Sequence, residues 1–356
     1  MAIIGGFDLH RRQLTYDYLD AVTGEIQRGR VAPADRAHLR SFLARFDGQS
    51  EVAFAVEGCT GWRYVVEELT RVGIGAHLAE PAETAAKRGR KRRAKTDRSD
   101  ARHLRELLVK GDLPCSWIPP TQVLEARARV RLSKDLEEER TGWLQRVQAT
   151  LYHQGVPVIG SLTSAEGRAR LATAELSPAG RQAVEVGLRQ LDRLTGELDP
   201  LRAELARFSR RQPGCRVLRT THFGIGPITS VAIWAEMGDT RRFSSSDDAV
   251  RHAGLDITVY ASDTKRARGH LARQGPATLR WALYEAAVCA TRPNSPDHAP
   301  TSWRSSAGPT ATWASSRWHA SWPGGSTTPC APSATRPGSR CRRSDGGARC
   351  AFSPST

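Results

Sequence analysis

Asp97 and Asp100 stand three residues apart at the opening of a segment, 101–108, whose apolar positions 101, 104, 107 and 108 have helical spacing. That spacing sets both carboxylates on one face at the helix start, where a pair of acids can hold a divalent cation. Directly before them eight of the residues from Lys87 to Arg98 are Lys or Arg: Lys87, Arg88, Arg90, Lys91, Arg92, Arg93, Lys95 and Arg98. A cationic approach to a paired-acid site suits a phosphodiester. The same pattern also suits an ordinary helix start, with Thr96 or Asp97 as the cap and Asp100 complementing the helix dipole.

Two further acids follow strand-like runs. Asp8 closes the apolar run 2–7, and Glu57 closes the alternating run 51–56. The elements that must carry them read in the order β-β-β-α-β-α-β-α. Residues 14–18 and 25–31 complete a meander with the first strand, and Thr23-Gly24 marks a turn. Residues 33–46 form an amphipathic helix with Pro33 at its start, 61–72 a second helix, and 73–78 a further strand.

The composition bounds the partners. Lys and Arg number 53 against 37 Asp and Glu, a formal charge of +16 over 356 residues, with a pI near 10.2. Such an excess implies a polyanion, nucleic acid or an anionic membrane. No apolar run reaches the roughly 18 residues of a bilayer span, and no signal segment opens the chain, so nucleic acid in the cytoplasm is expected, with no membrane partner. The seven cysteines, at 59, 115, 215, 289, 330, 341 and 350, form no zinc spacing, and their odd number suits a reducing compartment.

Beyond Pro119-Pro120, residues 121–152 and 177–209 are long, charge-rich helical stretches. In the second, Leu188, Leu191, Leu194, Leu198, Leu201 and Leu205 recur at threes and fours, a coiled-coil-like seam interrupted by Pro200. It serves either an internal hairpin or, as the favoured reading, a dimerisation stalk. Residues 221–233 contain a Gly-Ile-Gly turn leading into an apolar helix. The turn is similar to a helix-hairpin-helix, whose backbone N–H groups meet a phosphate. Residues 244–254 read as a capped helix. The segment from Asp256 to Arg280 is basic at Lys265, Arg266, Arg268, Arg273 and Arg280, all candidates for nucleic-acid backbone contacts along with the 87–95 run.

The strand-end acids and the late helical pair resemble the RuvC/RNase H-like fold, in which such acids hold two Mg²⁺ for in-line phosphoryl transfer. The stretches GFDLH, AVEGCTGW and AKTDRSDARHLREL sharpen this to a resemblance to the IS110-family (DEDD) transposases over most of residues 1–290. The resemblance implies Asp8, Glu57, Asp97 and Asp100 as a catalytic, Mg²⁺-binding set. It implies a homodimer or homotetramer acting on donor and target DNA, guided by a structured non-coding bridge RNA. It also implies a serine nucleophile, for which Ser262 is the matching position, although Asp263 stands where the family usually has Gly and Ala272 where a second Ser is often found. No Ser/His/Asp triad surrounds Ser262; His270 is merely nearby. Such a hydroxyl needs activation by a base or metal, and the acidic metal site is expected to act on the DNA attached at Ser262, which implies that the two domains meet, within one protomer or across two.

From Cys289 onward the chain contains no Leu, Ile, Val or Lys, and four of its nine Trp stand at 303, 313, 318 and 322. Such a segment has little with which to build a core, so a disordered tail is expected. A frameshift near 293–300 in GC-rich coding DNA accounts for the composition; an RNA-binding tail is its rival.

The expected architecture is therefore an α/β RuvC/RNase H-like domain (1–115), a long helical, coiled-coil-like middle (116–212), a mainly α serine-bearing domain with the helix-hairpin-helix-like segment (213–292), and a tail (293–356). The expected function is that of a transposase or recombinase. A RuvC-like metal-dependent nuclease using water, and a non-catalytic nucleic-acid-binding remnant, are the alternatives.

Overall fold

The structure is a computed structural model that describes residues 3–88, 96–258, 261–262, 265–266, 269–292 and 295. The side chains of 258, 261, 262, 265 and 266 are not among what it describes. The basic residues Arg90, Lys91, Arg92, Arg93, Lys95 and Arg268, together with Asp263 and nearly all of the tail, lie outside these residues. The chain divides into two compact units, with the boundary between Ile118 and Pro119.

The first unit is built on a sheet of strands β1 (Ile3–Leu9), β2 (Leu14–Asp20), β3 (Ile26–Val31), β4 (Val52–Glu57), β5 (Gly75–Ala79) and β6 (Cys115–Ser116). Its order is β3-β2-β1-β4-β5-β6. The meander is antiparallel, β1, β4 and β5 run parallel, and β6 is antiparallel to β5. This mixed sheet with helices is consistent with the RuvC/RNase H-like fold expected. Helix α1 (Arg36–Leu43) and helix α2 (Trp62–Arg71) cover one face, packing Leu39, Phe42, Leu43, Val65 and Leu69 on Phe7 and Phe54. Phe7 stacks on Phe54 at 4.7 Å between centroids. A short helix α3 (Pro81–Ala86) leads toward the basic segment.

Helix α4 (Asp97–Val109) covers the other face. Two features of the sequence fix its seat. A side chain at Gly6 of β1 would meet Ala101 O at 2.4 Å and Arg105 N at 2.8 Å, so only Gly lets the helix backbone lie on the strand there. Gly6 pairs with Asp17 across the hairpin. The buried Asp17 carboxylate accepts a 2.5 Å bond from Arg105 Nε of α4 and a 2.8 Å bond from Arg28 Nε of β3. Two cations compensate one buried acid, a far more favourable arrangement than an unpaired charge.

The second unit begins with helix α5 (Thr121–His153), followed by α6 (Ala165–Thr173) and α7 (Pro178–Arg211). Gln154, just past α5, and Ser177, the N-cap of α7, hydrogen-bond to each other in both directions, at 2.7 and 2.8 Å, closing an α-hairpin. Leu191, Leu194, Leu198 and Leu205 are buried within this single chain. These leucines pack inside the hairpin that α7 forms with α5. One correction concerns Pro200, which sits inside helix α7 and does not interrupt it. Its ring removes the hydrogen bond to the carbonyl of Gly196, and the helix continues through this position.

The base of the hairpin shares one core with α8 (Pro213–Thr221), α9 (Pro227–Met237), α10 (Ser246–Ala253) and α11 (Ala277–Ala290). Ala126 and Val130 of α5 and Leu205 of α7 pack there with Val231, Ile233, Leu279 and Ala286. Buried Glu236 of α9 is paired with Arg127 at 3.2 Å and Arg131 at 3.1 Å, tying α9 to α5. Among the described residues, β7 (Ile257–Thr258) pairs with β10 (His270–Leu271), and β8 (Ala261–Ser262) with β9 (Lys265–Arg266).

Candidate metal centre

Thr96 caps α4. Its hydroxyl accepts from Ser99 N while the Ser99 hydroxyl accepts from Thr96 N, a reciprocal capping box. The helix-cap reading and the acidic-pair reading therefore hold together: the cap fixes the first turn, and that turn presents Asp97 and Asp100. Because α4 lies on Gly6, its first turn is carried to the end of β1, where Asp8 sits two residues on.

Asp8 is buried, with 5% of its surface exposed. Its Oδ2 lies 3.1 Å from His10 Nε2, and His10 Nε2 lies 3.3 Å from Asp97 Oδ1. Despite that proximity, Asp8 Oδ2 receives no hydrogen bond of acceptable direction. Asp8, His10 and Asp97 bring one donor atom each within 4.8 Å of one another, a group able to hold a metal ion. Asp97 is oriented through its other oxygen, which accepts from Gln13 Nε2 at 3.1 Å. Asp100 Oδ1 accepts from Arg88 Nη1 at 2.5 Å and from the Ser99 hydroxyl at 3.2 Å.

Glu57 ends β4, one residue beyond the Phe7–Val56 pair, and so lies beside Asp8 at the same edge. The electrostatics report the clustering. Burial pushes the Asp8 carboxyl up to about 6, His10 opposes the shift, and the charges of Asp100, Asp97 and Glu57 add to it. Burial, then Glu57 and Asp8, likewise raise the neighbouring Cys59 thiol. A buried carboxylate oxygen without a hydrogen bond, facing further acids, is the donor set a divalent cation satisfies. All four predicted acids thus fall in one locality, with Asp8 and Asp97 closest. His10 and Gln13, in the turn of the first hairpin, complete it. Sequence reading passed over both, although the HxxQ spacing directly after Asp8 was the available signal.

Of the predicted basic contacts, Lys87 lies 3.8 Å from Asp112, and Arg88 is held by Asp100. Arg280 Nη1 donates to Gly275 O at 2.5 Å and Ala253 O at 3.3 Å. Those bonds run beside the close passage of Gly254 by Gly275. Arg273 adopts a left-handed φ of 54°. Lys265 and Arg266 form β9, whose pairing places Lys265 opposite Ser262. Helices α8 and α9 flank the Gly-Ile-Gly turn, where Gly224 has φ 86° and a side chain would strike Cys289 Cβ at 2.4 Å.

No helix among the described residues is long and apolar enough to cross a membrane. Two transposase family profiles match the chain. A transposase family profile of the DEDD IS110 type matches residues 6–154. The profile described as "Transposase IS116/IS110/IS902 family" matches residues 215–301. A "Probable family 20 transposase" of Pseudomonas aeruginosa is 25% identical over 269 residues, spanning 72% of this chain and 75% of that protein. The acids at the end of the sheet and the paired profile matches agree: the chain belongs to the IS110 family of transposases.

Proposed function

We propose that the protein cleaves and rejoins DNA strands during movement of an insertion sequence, with an acidic Mg²⁺ site in its first unit and Ser262 as nucleophile in its second. The single observation that carries the reading is Asp8: a buried carboxylate lacking a hydrogen bond, raised by burial and by three neighbouring acids. Asp8, Glu57, Asp97 and Asp100 would hold the metal. Bound there, a divalent ion would supply charge neutralisation for a phosphodiester undergoing displacement.

The chain's own residues account for the rest. Asp8 is held by its strand and kept from water. Asp97 is turned toward Asp8 by Gln13, and Asp100 is anchored by Ser99 and Arg88. In the second unit the Ser262 hydroxyl attacks the scissile phosphorus. A Ser–O–P bond forms, the P–O bond to one deoxyribose breaks, and that sugar leaves with a free hydroxyl. Attack by a target-strand hydroxyl on the serine ester reverses the step and joins new ends. The reading requires that both groups act on one phosphodiester. Lys87, Arg88 and the basic residues of 90–95, with Lys265, Arg266, Arg268, Arg273 and Arg280, would bind DNA and RNA backbones, and the family resemblance supplies the bridge RNA as guide and the oligomer as the working form.

The test uses end-labelled donor DNA with candidate bridge RNA and Mg²⁺. Label transferred covalently to wild-type protein, and absent with Ser262→Ala and with Asp97→Ala, is the expected result. Cleavage that needs Asp97 but survives Ser262→Ala would replace the serine with water as nucleophile.

A further inference from the structure

We infer that His10 coordinates the metal through Nε2, so that the centre is a mixed oxygen–nitrogen site and not an all-carboxylate one. The inference rests on the reading of the acidic cluster as a metal centre and adds a ligand to it. Three observations point the same way. First, the spacing is that of ligands. Neighbouring donors around an octahedral ion with bonds of about 2.1 Å lie about 3.0 Å apart. His10 Nε2 stands 3.1 Å from Asp8 Oδ2 and 3.3 Å from Asp97 Oδ1.

Second, the contact with Asp8 has the distance of a hydrogen bond without its direction, and it leaves the buried Oδ2 unsatisfied. Two atoms brought together but not aimed at each other are what a shared third partner requires. Third, the imidazole is placed by the fold. His10 N donates to Gln13 O at 3.0 Å, closing the turn of the first hairpin. From the same turn Gln13 fixes Asp97. One tight turn thus supplies a nitrogen and orients an oxygen. Imidazole nitrogen favours first-row transition ions over Mg²⁺, which holds an all-oxygen shell more readily. Loss of His10 is therefore expected to cost Mn²⁺ or Co²⁺ affinity more than Mg²⁺ affinity.

The experiment uses the untagged full chain with Mn²⁺ as probe, titrated by electron paramagnetic resonance and examined by a pulsed method that detects directly bonded ¹⁴N. Expected is Mn²⁺ bound with ¹⁴N coupling. In His10→Ala the coupling disappears and Kd rises by about tenfold or more, with an unchanged far-ultraviolet dichroism spectrum, since the His10 side chain is half exposed. Mn²⁺ that is bound and lost in Asp8→Ala, yet carries no ¹⁴N coupling, overturns the role of His10 alone. Coupling that persists in His10→Ala comes from another histidine and also overturns it. Absence of Mn²⁺ binding by wild type overturns the metal centre itself, and the inference with it.

Discussion

At the scale of single residues, Asp8 carries the electrostatic tension of the candidate metal centre. Its carboxyl is raised from the ordinary carboxylate range to about 6. A carboxyl raised in the folded state binds its proton more tightly there than in the unfolded chain. Its contribution to stability is therefore full below the unfolded value near 4 and is lost as pH rises through about 6. Metal-free protein is expected to lose stability across that window. Asp8→Asn removes the titration, so its melting temperature should exceed wild type by a few degrees at pH 8 and match it near pH 4, as scanning calorimetry with chelator would show. With excess Mg²⁺ at pH 8 the order should reverse, because only wild type gains ligand stabilisation. Asp97 and Asp100 were legible in the sequence because their spacing and their helix are local. The pairings of Asp17 with Arg105 and of Glu236 with Arg127 were not, since each joins residues about a hundred positions or so apart, and no periodicity encodes which charges meet.

At the scale of elements, α4 is the component that assembles the centre, and it is held by one absent side chain and one ion pair. Gly6→Val would force the helix off β1, displacing Asp97 and Asp100 from Asp8. It is expected to cost about 1–3 kcal/mol or more by denaturant unfolding. Asp17→Ala would strand the buried Arg105, while the half-exposed Arg28 can turn to solvent, and about 3–5 kcal/mol is expected. The double variant Asp17→Ala with Arg105→Leu should recover a substantial part, because it removes the uncompensated charge. Strand and helix identities in the first unit were legible from alternation and helical spacing. The seating of α4 was not: Gly5 and Gly6 are simply part of the first apolar run in the sequence, whereas Gly6 is the place where a helix backbone touches the sheet. Pro200 misled in the opposite direction, because a local helix breaker is outweighed by leucines buried on both sides of it.

At the scale of the whole molecule, the two units carry separate cores, and the leucine seam belongs to the core of the second. Leu194→Ala is expected to destabilise that unit by about 2–5 kcal/mol. The loss should be the same at low and high protein concentration, since the seam is filled by α5 of the same chain; a concentration-dependent loss would return the seam to a subunit interface. The charge of +16 predicts that DNA affinity falls steeply and linearly in log–log form as salt is raised. Fold class and partner class were thus legible from composition and element order, while the division into units at residue 118 depended on which cores the long helices join. The most direct test of the account is single-turnover strand cleavage of donor DNA as a function of Mg²⁺, for wild type and Asp97→Ala. The account predicts saturable Mg²⁺ dependence in wild type and a loss of about a hundredfold or more in the variant. Cleavage by Asp97→Ala at the wild-type rate and with the same Mg²⁺ dependence would contradict it.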